Sequence, residues 1–95
     1  MTAYVVVDIE VKDATAYAEY IARAPDTVAA YGGKYLARAG RTEKLEGEWV
    51  PKRLVILQFE SLERAKQWLN SPEYAPVKEL RHKAAESNMV VIEGA

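Results

Sequence analysis

The chain has 95 residues, 13 basic and 14 acidic side chains, a formal net charge of -1 and no cysteine. That length suits one domain, residues 1–95, with a single core of modest size, and the balanced charge gives no electrostatic footprint for nucleic acid or an anionic membrane surface. Without cysteine, disulfides, zinc–thiolate sites, iron–sulfur clusters and thiol nucleophiles are excluded together.

The acidic residue at position 8 comes too early for a signal-peptide apolar core, and no apolar run approaches membrane-spanning length. A cytoplasmic protein is expected. Ala3 to Val11 (AYVVVDIEV) is β-branched and reads as a first strand, and Asp13 is placed to cap a helix after it. Tyr17, Tyr20, Ile21, Ala24, Val28 and Tyr31 then recur at spacings of three and four, which predicts a helix ending at Gly32-Gly33. Pro25 sits inside that pattern and predicts a kink or a break into two segments. Lys34 to Ala39 (KYLARA) is a weak second strand, and Gly40 to Pro51 is a polar loop, the one stretch that resembles a linker. Lys52 to Glu60 (KRLVILQFE) is a strong third strand, expected to pair with the second as an antiparallel hairpin. Ser61 caps the next helix, with Leu62, Ala65, Trp68 and Leu69 as its apolar positions. Ser71-Pro72 is expected to restart it, and Tyr74, Val77, Leu80 and Ala84 continue the stripe. Asn88 to Glu93 (NMVVIE) closes the chain as a fourth strand. The order is β-α-β-β-α-β, an α+β ferredoxin-like fold with a four-stranded antiparallel sheet and its helices on one face.

Alternation along the first strand puts Val5, Val7, Ile9 and Val11 on one face and Tyr4, Val6, Asp8 and Glu10 on the other. The first, wholly apolar face belongs under the helices. The third and fourth strands carry apolar residues on both faces, so the second face is also largely apolar and needs a cover. A second copy of the chain, packed sheet to sheet about a two-fold axis, is the expected partner.

The segments Arg41 to Arg53 (RTEKLEGEWVPKR), Leu57 to Leu62 (LQFESL) and Asn70 to Tyr74 (NSPEY), with the opening AYVVVDIEV and the Tyr31-Gly32-Gly33 turn, resemble the bacterial domain of unknown function 1330 (DUF1330) family over essentially the whole chain. The resemblance implies the dimeric α/β-barrel superfamily, in which two ferredoxin-like sheets form a shared barrel with a small-molecule pocket between each sheet and its helices or loops. Relatives there include cofactor-free monooxygenases of aromatic polyketides, a lactone isomerase and haem-degrading enzymes, so the fold alone selects no reaction. One reading, by analogy with that superfamily, is an enzyme needing no cofactor that acts on a small carboxylated or carbonyl metabolite as a monooxygenase or isomerase would. The alternative is a homodimer that binds a small molecule, or serves structurally, without turnover. The sequence departs from the family pattern at Glu60, where proline is common, and at Leu69, where an aromatic often follows the tryptophan.

Asp8 interrupts a run of valines and isoleucines on the face that a dimer would bury, and a buried carboxylate needs partners. Arg38 on the second strand and Arg53 on the third are the candidates, because an arginine fork matches a carboxylate at two points. Two readings stand: an ion pair fixing the sheet end or the dimer register, or an anion or enolate site in which an arginine holds the substrate and Asp8 moves a proton. Glu46 and Trp49, on the loop ahead of Pro51, are candidates for a pocket lid or for a turn folded back on the protein. His82, the single histidine, rules out a multi-histidine metal site within one chain. It is either a solvated helix-terminal residue or a general base facing a pocket, with a haem axial ligand the less supported role. Tyr31 and Tyr74 lie beside helix breaks, where their hydroxyls could reach a cavity rim. No Gly-x-Ser-x-Gly turn and no phosphate-binding loop occurs, which disfavours serine hydrolase and nucleotidase.

Overall fold

The computed structural model describes all 95 residues. Strand β1 (Ala3–Val11) leads through the Asp13 cap, whose carboxylate accepts from the Ala16 N–H at 3.1 Å, into helix α1 (Ala14–Ala30). Strands β2 (Lys34–Arg38) and β3 (Leu54–Phe59) follow, then helices α2 (Leu62–Leu69) and α3 (Ala75–Ala84) and strand β4 (Ala85–Glu93). The sheet is antiparallel throughout, ordered β2-β3-β1-β4, which is the ferredoxin-like arrangement with the second helical segment divided in two. No helix is long and apolar enough to cross a membrane.

The core lies between the helices and one sheet face, and strand alternation decides its membership. Val5, Val7 and Ile9 of β1 and Val55, Leu57 and Phe59 of β3 are all 6 % exposed or less. From the helices come Tyr17, Ala24 and Val28 of α1, Trp68 of α2, and Val77 of α3. Trp68 occupies the centre. Its ring centroid lies 4.3 Å from that of Tyr74 and 5.4 Å from that of Phe59, and its indole N–H donates to the Thr27 hydroxyl at 3.1 Å. Gly33 is obligatory for close packing at the start of β2. A Cβ there would stand 2.6 Å from Val28 Cγ1 and 2.7 Å from Phe59 Cε1.

Several boundaries differ from expectation, each for an identifiable reason. Helix α1 runs through Pro25 without a break. Proline cannot donate to the Ile21 carbonyl four residues back, and that carbonyl instead accepts a hydrogen bond from the Arg38 guanidinium at 3.1 Å. Ser71 does not cap α3: its hydroxyl accepts from the Tyr74 N–H and donates to the Trp68 carbonyl, closing a turn ahead of Tyr74, the true N-cap position. Strand β4 begins at Ala85 rather than Asn88, because β1 is long enough to pair with it from Val11↔Ala85 to Ala3↔Glu93. Strand β3 is shorter than expected, and β2 stops at Arg38 because Ala39 turns into the left-handed region (φ 55°).

The opposite sheet face carries no helix. Val90 and Ile92 of β4 are 63 % and 60 % exposed, and Tyr4, Val6, Leu54 and Ile56 lie between them and β2, only partly covered. The loop between β2 and β3 adds exposed Leu45, Trp49 and Val50.

Candidate functional site

Two of the cavities are lined by the helix-side face of the sheet, and alternation explains which side chains reach them. Arg53 precedes β3 with the parity of Val55, Leu57 and Phe59, so its side chain falls on the helix face. Arg38 reaches the same face through a bulge at Leu36: Tyr35 pairs with Leu57 and Ala37 with Ile56, a slip of one residue that turns Arg38 to the side of Val55. Asp8 pairs with Leu54 and therefore points the other way.

The expected meeting of Asp8 with Arg38 or Arg53 therefore does not occur. The Asp8 carboxylate accepts instead from the Trp49 indole N–H (3.0 Å) and from the backbone N–H groups of Lys52 (2.9 Å) and Arg53 (3.2 Å). Partial desolvation pushes its carboxyl up. The Trp49 bond, the two backbone donors and the Lys52 charge outweigh that and hold it below the usual carboxylate range. Asp8 is thus a latch that ties the β2–β3 loop to the open sheet face. Trp49 lines neither cavity, and Glu46 is exposed on the same loop, so this loop is not a lid over either of them.

A carboxyl held low contributes stability in its ionised form, present above its unfolded value and lost as pH falls through the lower folded one. Asp8→Asn is therefore expected to loosen the loop at neutral pH, with a loss of roughly 1–2 kcal/mol, because charge-assisted bonds become neutral ones. Faster hydrogen exchange at the Lys52 and Arg53 amides, with the wild type converging on the variant only below about pH 4, is the measurement that checks it.

The larger cavity, about 500 Å³, lies between β4 and helices α2 and α3. Val5, Met89 and Val91 of the sheet form its apolar floor, with Trp68 and Leu69 of α2 beside them. Its polar lining is basic: the cations Lys66, Lys78 and Arg81, then His82 and Ser87, with no aspartate or glutamate. Arg81 is only 5 % exposed and forms no ion pair. Its Nε donates to the Tyr74 hydroxyl at 3.3 Å and its terminal nitrogen to the Ser87 hydroxyl. A buried guanidinium satisfied only by neutral hydroxyls keeps an uncompensated charge beside the cavity.

Tyr74 is fully buried, so its hydroxyl is not at a rim. It bonds to that of Tyr20 at 2.8 Å. Burial pushes the Tyr20 phenol far above its ordinary value, with the adjoining Tyr74 adding to the effect. Tyr31 lines neither of these cavities: its hydroxyl donates to Glu73 at 2.7 Å, and it borders a separate open depression of about 530 Å³ with Lys66, Gln67, Asn70, Ser71 and Pro72. His82 is exposed at the mouth of the larger cavity.

The smaller cavity, about 30 Å³, lies between α1 and the β1, β2 and β3 strands, with Trp68 and Met89 separating it from the larger one. Arg38, Arg53, Tyr17, Tyr20 and Tyr35 supply its polar atoms. Arg81 is the functional candidate that sequence reasoning misses. The series 74, 77, 81, 84 is as regular a helical stripe as 74, 77, 80, 84, and choosing the apolar Leu80 over a charged residue hides it.

The DUF1330 model, described only as a domain of unknown function, matches residues 2–95. The chain belongs to this family. Among curated proteins, none matches the sequence of this DUF1330 member. A protein of unknown function from Rhodopseudomonas palustris superposes with a TM-score of 0.79 at 17 % identity, covering 99 % of this chain and 82 % of that one. SnoaB, a cofactor-independent oxygenase from Streptomyces nogalater, superposes with a TM-score of 0.71 at 14 % identity, covering 99 % and 93 %. A dimeric protein of unknown function and ferredoxin-like fold from Bacteroides fragilis gives 0.59 at 13 %, covering 98 % and 96 %. At such identities these likenesses establish the shared fold of the DUF1330 chain and nothing further.

Proposed function

We propose that this DUF1330 protein is a homodimer that binds a small organic anion in the larger helix-side cavity and transfers a proton to or from it. The observation that carries this reading is Arg81, buried, without a carboxylate, and set beside an apolar cavity with a cationic rim. Such a lining suits a ligand with a hydrophobic body and one carboxylate or enolisable carbonyl. In this reading Arg81 holds the negative charge and His82, at the mouth, carries the proton. SnoaB, with the same fold and its cofactor-independent oxygenase activity, supports chemistry done with the chain's own side chains. The uncovered apolar face, with the dimeric Bacteroides fragilis relative, supports a two-fold assembly through that face.

Phenylpyruvate combines an apolar ring, a carboxylate and an enolisable carbon, and serves as the probe. The protein is expected to bind it and to accelerate exchange of its C3 protons with deuterium, followed by NMR. His82→Ala should slow that exchange about 100-fold or more while leaving binding in place. Binding without exchange would favour the second reading, a non-catalytic binding dimer, to which the exposed position of His82 lends weight. No binding by phenylpyruvate, benzoate or acetoacetate sinks both readings of the cavity. A monomeric mass in light scattering sinks the dimer.

A further inference from the structure

The smaller cavity lies apart from the proposed site and poses a separate question. Arg53 Nε is buried and has no hydrogen-bond partner, the one side-chain polar atom so placed. Orphaned buried donors are rare in folded proteins, and a charged one is the most costly kind. The Arg53 guanidinium carbon stands 5.6 Å from the Tyr17 ring centroid, and that of Arg38 stands 4.6 Å from the Tyr35 ring centroid. Aromatic faces engage the flat side of a guanidinium and leave its edge N–H groups directed outward. Arg38 spends one such group on the Ile21 carbonyl freed by Pro25, which holds it across the gap between β2 and α1. No carboxylate lines the cavity, and the rest of its wall is apolar or phenolic.

The unpartnered Arg53 Nε, the neighbouring Arg38 and a lining without a carboxylate define the chemistry of a ligand that would fit here. Volume defines its size: a water-sized body needs roughly 10–15 Å³ on this measure, so about 30 Å³ holds two or three atoms and excludes aromatic acids. We infer that this cavity is a binding site for one compact monovalent anion of halide or formate size, held between Arg38 and Arg53. The anion supplies the acceptor that Arg53 lacks and, by bridging to Arg38, secures β2 against α1.

Thermal melting of the full chain at fixed protein concentration and ionic strength tests this, with sodium gluconate exchanged for sodium chloride or sodium formate. A ligand that binds only the folded state raises the Tm saturably, here by on the order of 5 °C. Chloride and formate should both do so, gluconate should not, and Arg53→Met should abolish the response. Arg53→Lys keeps the charge but loses the Nε donor, and should shift the half-saturating concentration upward about tenfold. A rise that is equal with gluconate, or that persists in Arg53→Met, overturns the proposal. Should Arg53→Met fail to fold, crystals of the wild-type protein soaked in bromide decide: an anomalous peak between Arg38 and Arg53 supports the site, and an empty cavity at saturating bromide overturns it.

Discussion

Trp68→Ala is expected to remove about 3–5 kcal/mol of stability, and a chain of this length commands only about 5–14 kcal/mol in total. Trp68 is 1 % exposed, packs at a tilt against Tyr74, abuts Phe59 and donates to Thr27. Truncation removes its transfer free energy and its hydrogen bond together. The hole left behind cannot collapse easily, because β1, β3 and α1 are fixed by sheet pairing and by the turn at Gly33. Trp68 is also the wall between the two cavities, so the variant should join them into one. In urea unfolding the midpoint should fall with little change in slope. Trp49→Ala is the internal contrast: Trp49 is 61 % exposed and its main tie is the bond to Asp8, so its loss should cost no more than about 1–2 kcal/mol. Equal costs for the two tryptophans would mean that the core is centred elsewhere.

The architecture was readable because each element carried its own periodicity. β1 alternates without interruption, α1 keeps spacings of three and four through Pro25, and Ser61 and Asp13 cap the helices they precede. The site was less readable, for reasons that differ from residue to residue. Asp8 shares a face with Val6 and Arg53 shares one with Val55, but β3 is apolar on both faces, so only its register with β1, Asp8 opposite Leu54, separates the two charges. Arg38 could not be placed this way, because the bulge at Leu36 that turns it inward is set by tertiary pairing with β3. The partner of Asp8 was hidden for a third reason. Two of its three bonds are to backbone N–H groups, which every residue but proline offers and no sequence pattern marks.

The charges are sorted by sheet face. With Asp8 on the far face, Arg38, Arg53 and Arg81 are left on the helix side, and no acid enters the lining of either cavity. The helix side is therefore an electropositive interior, and the open side an apolar surface with a latched loop. The proposed anion site and the proposed subunit interface would thus fall on opposite faces of one sheet. The two are connected through Arg53, whose backbone N–H is held by Asp8 on one face while its side chain lines a cavity on the other.

Arg81→Met separates a binding arginine from a structural one because the two roles predict changes of opposite sign. Methionine nearly conserves the volume and removes a buried charge that no carboxylate compensates. Replacing such groups by apolar ones is commonly neutral or stabilising, by about 1–4 kcal/mol. The Tyr74 hydroxyl keeps its bond to Tyr20, so no buried donor is stranded deep in the core. If Arg81 holds the anion, the variant should be at least as stable as the wild type in urea. It should bind phenylpyruvate about 10–100-fold more weakly by calorimetry, the loss of one charge-assisted contact of roughly 1.5–3 kcal/mol. Arg81→Lys, which restores a charge without the fork, should recover part of that affinity. A structural arginine gives the reverse pattern, with stability lost and affinity retained. Stability gained at the expense of binding is the signature of a residue kept for its ligand and tolerated by the fold.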